Sequence, residues 1–394
     1  MSIHLHLFRS ISGMTPKYFS RIFRYFRDFS SAWEKAGKSD FRKAGIESED
    51  LISAILLARR SISPEAEACR LRALSIDTLS FSDSRYPSLL KEIRDPPLLL
   101  YVRGSISCLG GTCLAVVGSR TMTPYGKEVI ERFFPTFALN GFTIVSGLAY
   151  GVDACSHREA LRQQMPTIAV LGSGIDRMYP PEHKDLAQKI SEHGALISEF
   201  PPGTLPKAEH FPMRNRIISG LSLGTLLIEA KDASGALITA DFSLSQNREI
   251  FAVPGSIFAD MSRGTNQLIQ KGEALLTTQA LDILDVFRHQ PLFSSMTRSR
   301  QQSSKAKLQK SDRQPNAFSL SSQEQTIFNA LSHSPCHPDA LSRETGISPQ
   351  EMSQILSLLE LKQYTSVTAT GCYIRRDTPR CHGALRCHPS TSSG

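Results

Sequence analysis

No run in this sequence approaches the roughly 20 apolar residues that cross a bilayer, so no membrane span is expected. The N-terminus lacks the apolar stretch of a secretory signal. Its first residues are basic and free of acid, as in a transit peptide, but the continuation "YFSRIFRYF" reads as part of a folded domain. No two of the 8 cysteines have C-x-x-C spacing, and the simplest reading is free thiols in a reducing cytoplasm. The 11 histidines supply no zinc pattern: His333 and His337 flank Cys336, but prolines interrupt that stretch.

Nucleotide-enzyme signatures are missing as well. In "GSGIDR" Arg177 stands where a dinucleotide fold needs its third glycine. "YGKE" resembles the end of a P-loop, yet Glu128 replaces the Ser or Thr. "GLSLG", from Gly220 to Gly224, follows a helical pattern and precedes a strand, the reverse of a nucleophile elbow. Asp153 and His157 lie four apart, as an acid–base pair could. The plainer reading is a helix-capping carboxylate and a packed imidazole. No cofactor, no metal site and no catalytic residue is therefore expected.

What is present is a 394-residue chain with a formal net charge of +8, which favours an anionic partner. Residues 1–75 read as short helices, a helical (SAM/helix-hairpin-helix-like) domain. "GMTPKYFSRIF" sets Gly and Pro before a helix, and "DLISAILLARR" has helical apolar spacing. Residues 76–111 form a connecting segment in which prolines and Gly104 bound a short apolar strand. From 112 to 287 seven runs recur: "TCLAVVG", "FTIVSG", "TIAVLG", "ALISEF", "GTLLIEA", "EIFAVPG" and "ALLTT". Continuous rather than alternating hydrophobicity means burial on both faces. With helix-length segments between the runs, this spells an α/β fold with a Rossmann-like, doubly wound, mostly parallel sheet. A flexible basic linker is expected over 288–319, a winged-helix-like domain over 320–376 and a disordered tail over 377–394. In the winged domain, "SSQE" at Ser321–Glu324 and Ser348 with Glu351 read as capping boxes. Its second helix would expose Gln350, Glu351, Ser353, Gln354 and Ser357, with no base to meet phosphate.

Ligands of such sheets bind beyond the carboxyl ends of the strands. Three strand-end loops carry Gly, Ser and a base: Gly118, Ser119 and Arg120; Ser146 and Gly147, in the stretch that runs to His157; and Gly172, Ser173 and Gly174, followed by Tyr179 and Lys184. Glycines would let a ligand approach the backbone, helix starts offer N–H groups, and Arg120 offers a forked donor. "FPMRNRIISG" adds Phe211, Arg214, Asn215 and Arg216. Together these describe an extended anion site. The arginines would grip phosphate, Phe211 would stack on a base, and Asn215 would bond the ligand or hold the loop. The alternative is that an arginine pairs with Glu199 or Glu209 and that Phe211 belongs to the core.

The set "VVGSRTMTPYG", "SGLAYGVDACSHREAL", "AVLGSGIDRMYPPEH", "SEFPPGTLPKAEHFPMRNRIISGLS", "IEAKDASGALITADFSL" and "IFAVPG" resembles the DprA (Smf) family of DNA-processing proteins. The resemblance spans the Rossmann-like domain and its "YPSLLKEIRDPPLLLYVRG" lead-in. It implies a bacterial cytoplasmic protein that binds single-stranded DNA, protects DNA taken up in transformation, helps load RecA recombinase and forms a homodimer without catalysis. By motif, Arg120 and the "FPMRNR" set would be DNA contacts. Lys184 matches less well, since His183 stands where Asn is common, and Tyr150 replaces a frequent Arg. Two other readings compete. One is a nucleotide-hydrolysing enzyme like the phosphoribohydrolases, whose "PGGxGT" loop is absent here. The other is a regulatory scaffold acting through the winged domain.

Overall fold

The computed structural model describes residues 2–288, 322–331, 336–361, 364–368 and 372–375. The chain forms two compact units, 1–307 and 308–394.

Nine strands build the sheet of the first unit: β1 (Asp77–Ser80), β2 (Leu99–Gly104), β3 (Thr112–Val117), β4 (Phe142–Ser146), β5 (Thr167–Leu171), β6 (Ala195–Ser198), β7 (Gly224–Leu227), β8 (Glu249–Ala252) and β9 (Leu275–Leu276). Their spatial order is β1-β2-β6-β5-β4-β3-β7-β8-β9. The seven strands from β6 to β9 in that order are parallel, while β2 joins β6, and β1 joins β2, antiparallel. The seven apolar runs of the sequence are these seven parallel strands. Every residue of β3, β4 and β5 is buried, as helices on both faces require.

Residues 76–111 do more than connect, because β1 and β2 extend the sheet. "DTLS" is too short and polar to announce a strand; it forms one because Asp77–Ser80 pairs with Leu99–Val102. The N-terminal helices also share a core with the sheet. Phe8, Phe29, Trp33 and Phe41 cluster with Tyr101 of β2, and the Tyr101 hydroxyl lies 2.8 Å from His6 Nδ1. The two helices expected there are Pro16–Phe26, capped by Thr15, and Glu49–Ser61, capped by Ser48.

The second unit has helices Ser322–Ala330, Pro338–Thr345 and Pro349–Leu361 and an antiparallel hairpin of Thr365–Val367 with Tyr373–Arg375, a winged helix. Gly346, at φ +70°, turns the chain between the last two helices. Ser348 Oγ sits 3.4 Å from the Glu351 N–H and donates to its carboxylate at 2.7 Å, so that capping box forms. Ser321 of the other box, the linker after Arg288 and the tail from 377 lie outside the described residues.

Candidate nucleic-acid interface

The strand order reverses between β3 and β7, and a crevice opens there beyond the carboxyl ends of the strands. Its volume is about 770 Å³. The loop after β3 lines it with Gly118, Ser119, Arg120 and Thr121. The loop after β4 gives Ala149, and the segment after β7 gives Lys231 and the helix start Ser234–Ala236. Lys207, Phe211, Arg214 and Asn215 come from the start of helix His210–Gly220 and the residues before it. Helix Gly235–Ser245 thus aims its N-terminal dipole end at the cavity, where it favours an anion.

Three cations on the wall, Arg120, Lys207 and Lys231, are exposed and form no ion pair with a described acid. Unpaired side-chain charges converging on one cavity raise its affinity for polyanions. Two rings join them. Tyr179 and Phe211 line the cavity with centroids 5.4 Å apart and planes 50° apart. Phe211 is half-buried and also packs on Gly172, so it is anchored yet reachable.

The structure redistributes the other expected contacts. Arg214 is 5% exposed and donates to the carbonyls of Gly147, at 2.7 Å, and Val170. It ties the ends of β4 and β5 to helix His210–Gly220, where an extended phosphate grip was expected. Asp153 balances its charge and accepts from the N–H groups of Gly147, at 3.1 Å, and Ala149, at 3.3 Å. Burial pushes the Asp153 carboxyl up against the pull of Arg214 and these N–H groups. Burial likewise draws the guanidinium down to about 10, still well above neutrality. Arg216 pairs with Glu199 at 2.6 Å, the alternative its sequence context left open. Asn215 holds the loops together: its Oδ1 accepts from Arg214 Nε at 3.2 Å and its Nδ2 donates to Gly235 O at 3.3 Å.

The glycines serve packing. A Cβ on Gly147 would lie 2.5 Å from Arg214 Nη2, and one on Gly118 would lie 2.6 Å from Val152 Cγ2. A Cβ on Gly172 would meet the Phe211 ring at 3.0 Å, and one on Gly174 would meet Pro201 O at 2.7 Å. The space thought to admit a ligand is filled by the protein itself. The serines are buried too. Ser146 donates to Val116 O at 2.7 Å and Ser173 to Arg177 O at 2.6 Å, while Ser119 accepts from the Thr121 N–H at 3.1 Å. Lys184 lines a separate cavity.

His157 is fully buried, with Nδ1 2.7 Å from Thr167 Oγ1, and burial pushes its pKa down to about 3. It is a packed imidazole outside the cavity wall, and Asp153 is a loop anchor. Sequence reasoning passed over Lys207 and Lys231. The signal was the fourth strand-end segment, "IEAKDASG", whose lysine follows β7 at the switch point.

A family model described as DNA recombination-mediator protein A matches residues 77–288, and a DprA winged helix domain model matches 311–364. The DNA processing protein DprA of Bacillus subtilis is 44% identical over 202 residues, 51% of this chain and 68% of that one. Its Streptococcus pneumoniae namesake is 42% identical over 210 residues, 53% of this chain and 74% of its own. The X-ray structure of the pneumococcal protein superposes with TM-score 0.63 at 33% identity, covering 72% of this chain and 98% of that one.

Proposed function

The chain belongs to the DNA recombination-mediator protein A family, with a role in DNA processing and recombination, and from that premise we propose that its crevice seats single-stranded DNA without reading sequence. The observation that carries the proposal is the union of three unpaired cations with an aromatic pair around one cavity. Cations meet phosphate, and ring faces meet bases that a duplex keeps stacked away.

The protein acts by binding rather than by chemistry. The carboxylate on the crevice wall is already committed, Asp153 to Arg214 and loop N–H groups, and His157 lies off the wall, buried with Nδ1 against Thr167. The same reading makes it a cytoplasmic protein that delivers the strand to RecA recombinase and works as a homodimer through this unit. The family's description as a recombination mediator supports the first role. The edge strand β9, with Leu275 and Leu276 both exposed, supports the dimer. No helix among the described residues is long and apolar enough to cross a membrane.

The test is equilibrium binding to a labelled oligo-dT and to a duplex of equal length. The oligo-dT should bind more tightly. Tyr179→Ala, at an exposed ring, should cost on the order of 1–3 kcal/mol on oligo-dT and little on duplex. Equal affinity for both forms of DNA would overturn the proposal.

A further inference from the structure

The basic surface continues past the crevice. Pro206 lines it and also lines a second cavity of about 550 Å³. Tyr179 and Lys207 stand on the first side of this ridge; Met178, next to Tyr179, and Leu205, next to Pro206, stand on the second. The second cavity holds three cations: Arg103 from β2, Arg177 from the loop after β5, and Lys184 at the start of helix Lys184–His193.

Two carboxylates, Asp176 and Asp185, share the wall. Asp176 is committed: Oδ1 accepts from the Gly203 N–H at 2.7 Å, and Oδ2 lies 3.8 Å from Arg177 Nε. Lys184 and Asp185 are adjacent, exposed and opposite in sign, so they offset one another. Arg103 remains. It is half-buried, lines the cavity and forms no ion pair with a described residue. A half-buried guanidinium without an anionic partner leaves its charge uncompensated. A phosphate group offers paired oxygens to its terminal nitrogens and is a partner of the right charge and geometry.

We propose that the second cavity receives the sugar–phosphate backbone of the same strand after it crosses the Pro206 ridge, with Arg103 as the principal phosphate contact. Lys184 and Arg177 assist at the mouth, which returns Lys184 to DNA binding at a place distinct from the crevice. The inference rests on the crevice being a single-strand site, and it gives the strand a path and a length requirement.

Length is therefore the readout. Full-length wild type, Arg103→Gln and Arg120→Ala would be titrated with oligo-dT from about 4 to about 20 nucleotides, spanning one to several site sizes. Arg103→Gln should leave the shortest oligomers unaffected. It should weaken the longest several-fold and lower their log–log salt slope by about 0.7, the value for one phosphate no longer neutralised. Long oligomers binding Arg103→Gln as tightly as wild type would overturn the proposal. So would an equal loss at every length, which would make Arg103 a support of the fold. If Arg120→Ala also changes nothing, the crevice reading itself fails. If Arg120→Ala weakens binding and Arg103→Gln does not, only the second cavity is refuted. Inorganic phosphate that raises the melting temperature of wild type but not of Arg103→Gln, with no length effect, would assign the cavity to a free anion and against the strand.

Discussion

Arg214 is the residue on which the site's geometry turns. It joins two strand ends and one helix through main-chain carbonyls, and Asp153 is buried beside it. Replacing it by methionine leaves a buried carboxylate without its counter-charge and carbonyls without donors. Removing one partner of such a pair costs about 3–5 kcal/mol, read by denaturant unfolding. His157 gives a pH signature. Its folded pKa, about 3, lies below the unfolded value near 6.5, so the unfolded chain binds the extra proton between them. Stability should be complete above pH 6.5 and fall by about 1.4 kcal/mol per pH unit below it, toward pH 3. His6, also drawn down by burial, adds a contribution of the same sign. His157→Asn should flatten the slope between pH 6 and 4.5 whatever it does to absolute stability; an unchanged slope would refute this assignment. At this scale the sequence is partly legible. "FPMRNR" stands out as functional, but an arginine that binds carbonyls and one that binds phosphate are written with the same letter. Burial decides between them, and burial of a polar residue depends on what the rest of the fold puts beside it.

Elements are more legible than residues. Six of the parallel strands, β3 to β8, are apparent because burial on both faces demands continuous apolar runs; β9 is an apolar run too, but its leucines stay exposed at the sheet edge. β1 is not apparent, since its pairing with β2 rather than its composition makes it a strand. Lys207 and Lys231 are lone bases in loops and look ordinary until the topology places both at the switch point. Two predictions belong here. The helix Pro349–Leu361 exposes Gln350, Ser353 and Gln354 and carries no Lys or Arg. Replacing those three by alanine in the full chain should change affinity for oligo-dT and duplex by less than about twofold, because the phosphate contacts that supply affinity are absent. The exposed leucines of β9 form an unpaired apolar edge. If the proposed homodimer forms through this edge, Leu276→Arg should shift the protein from dimer to monomer in sedimentation at micromolar concentration; a dimer that survives the substitution would refute this edge as its contact.

For the molecule as a whole, electrostatics sets the function. The net charge of +8 is modest, and what distinguishes the first unit is its arrangement: unpaired cations gather at one crevice while Arg214 and Arg216 are spent internally. Basic pI in the sequence suggested a polyanion, and the crevice at the switch point is where we propose that it lies. The most direct measurement is the salt dependence of oligo-dT binding for wild type and for the triple variant Arg120→Ala, Lys207→Ala, Lys231→Ala. The expected log–log slope is shallower by about 2 in the variant, about 0.7 for each phosphate that the missing cations would have neutralised, with unchanged unfolding. An unchanged slope would mean that DNA, if bound, is held elsewhere, and the crevice would lose its assignment.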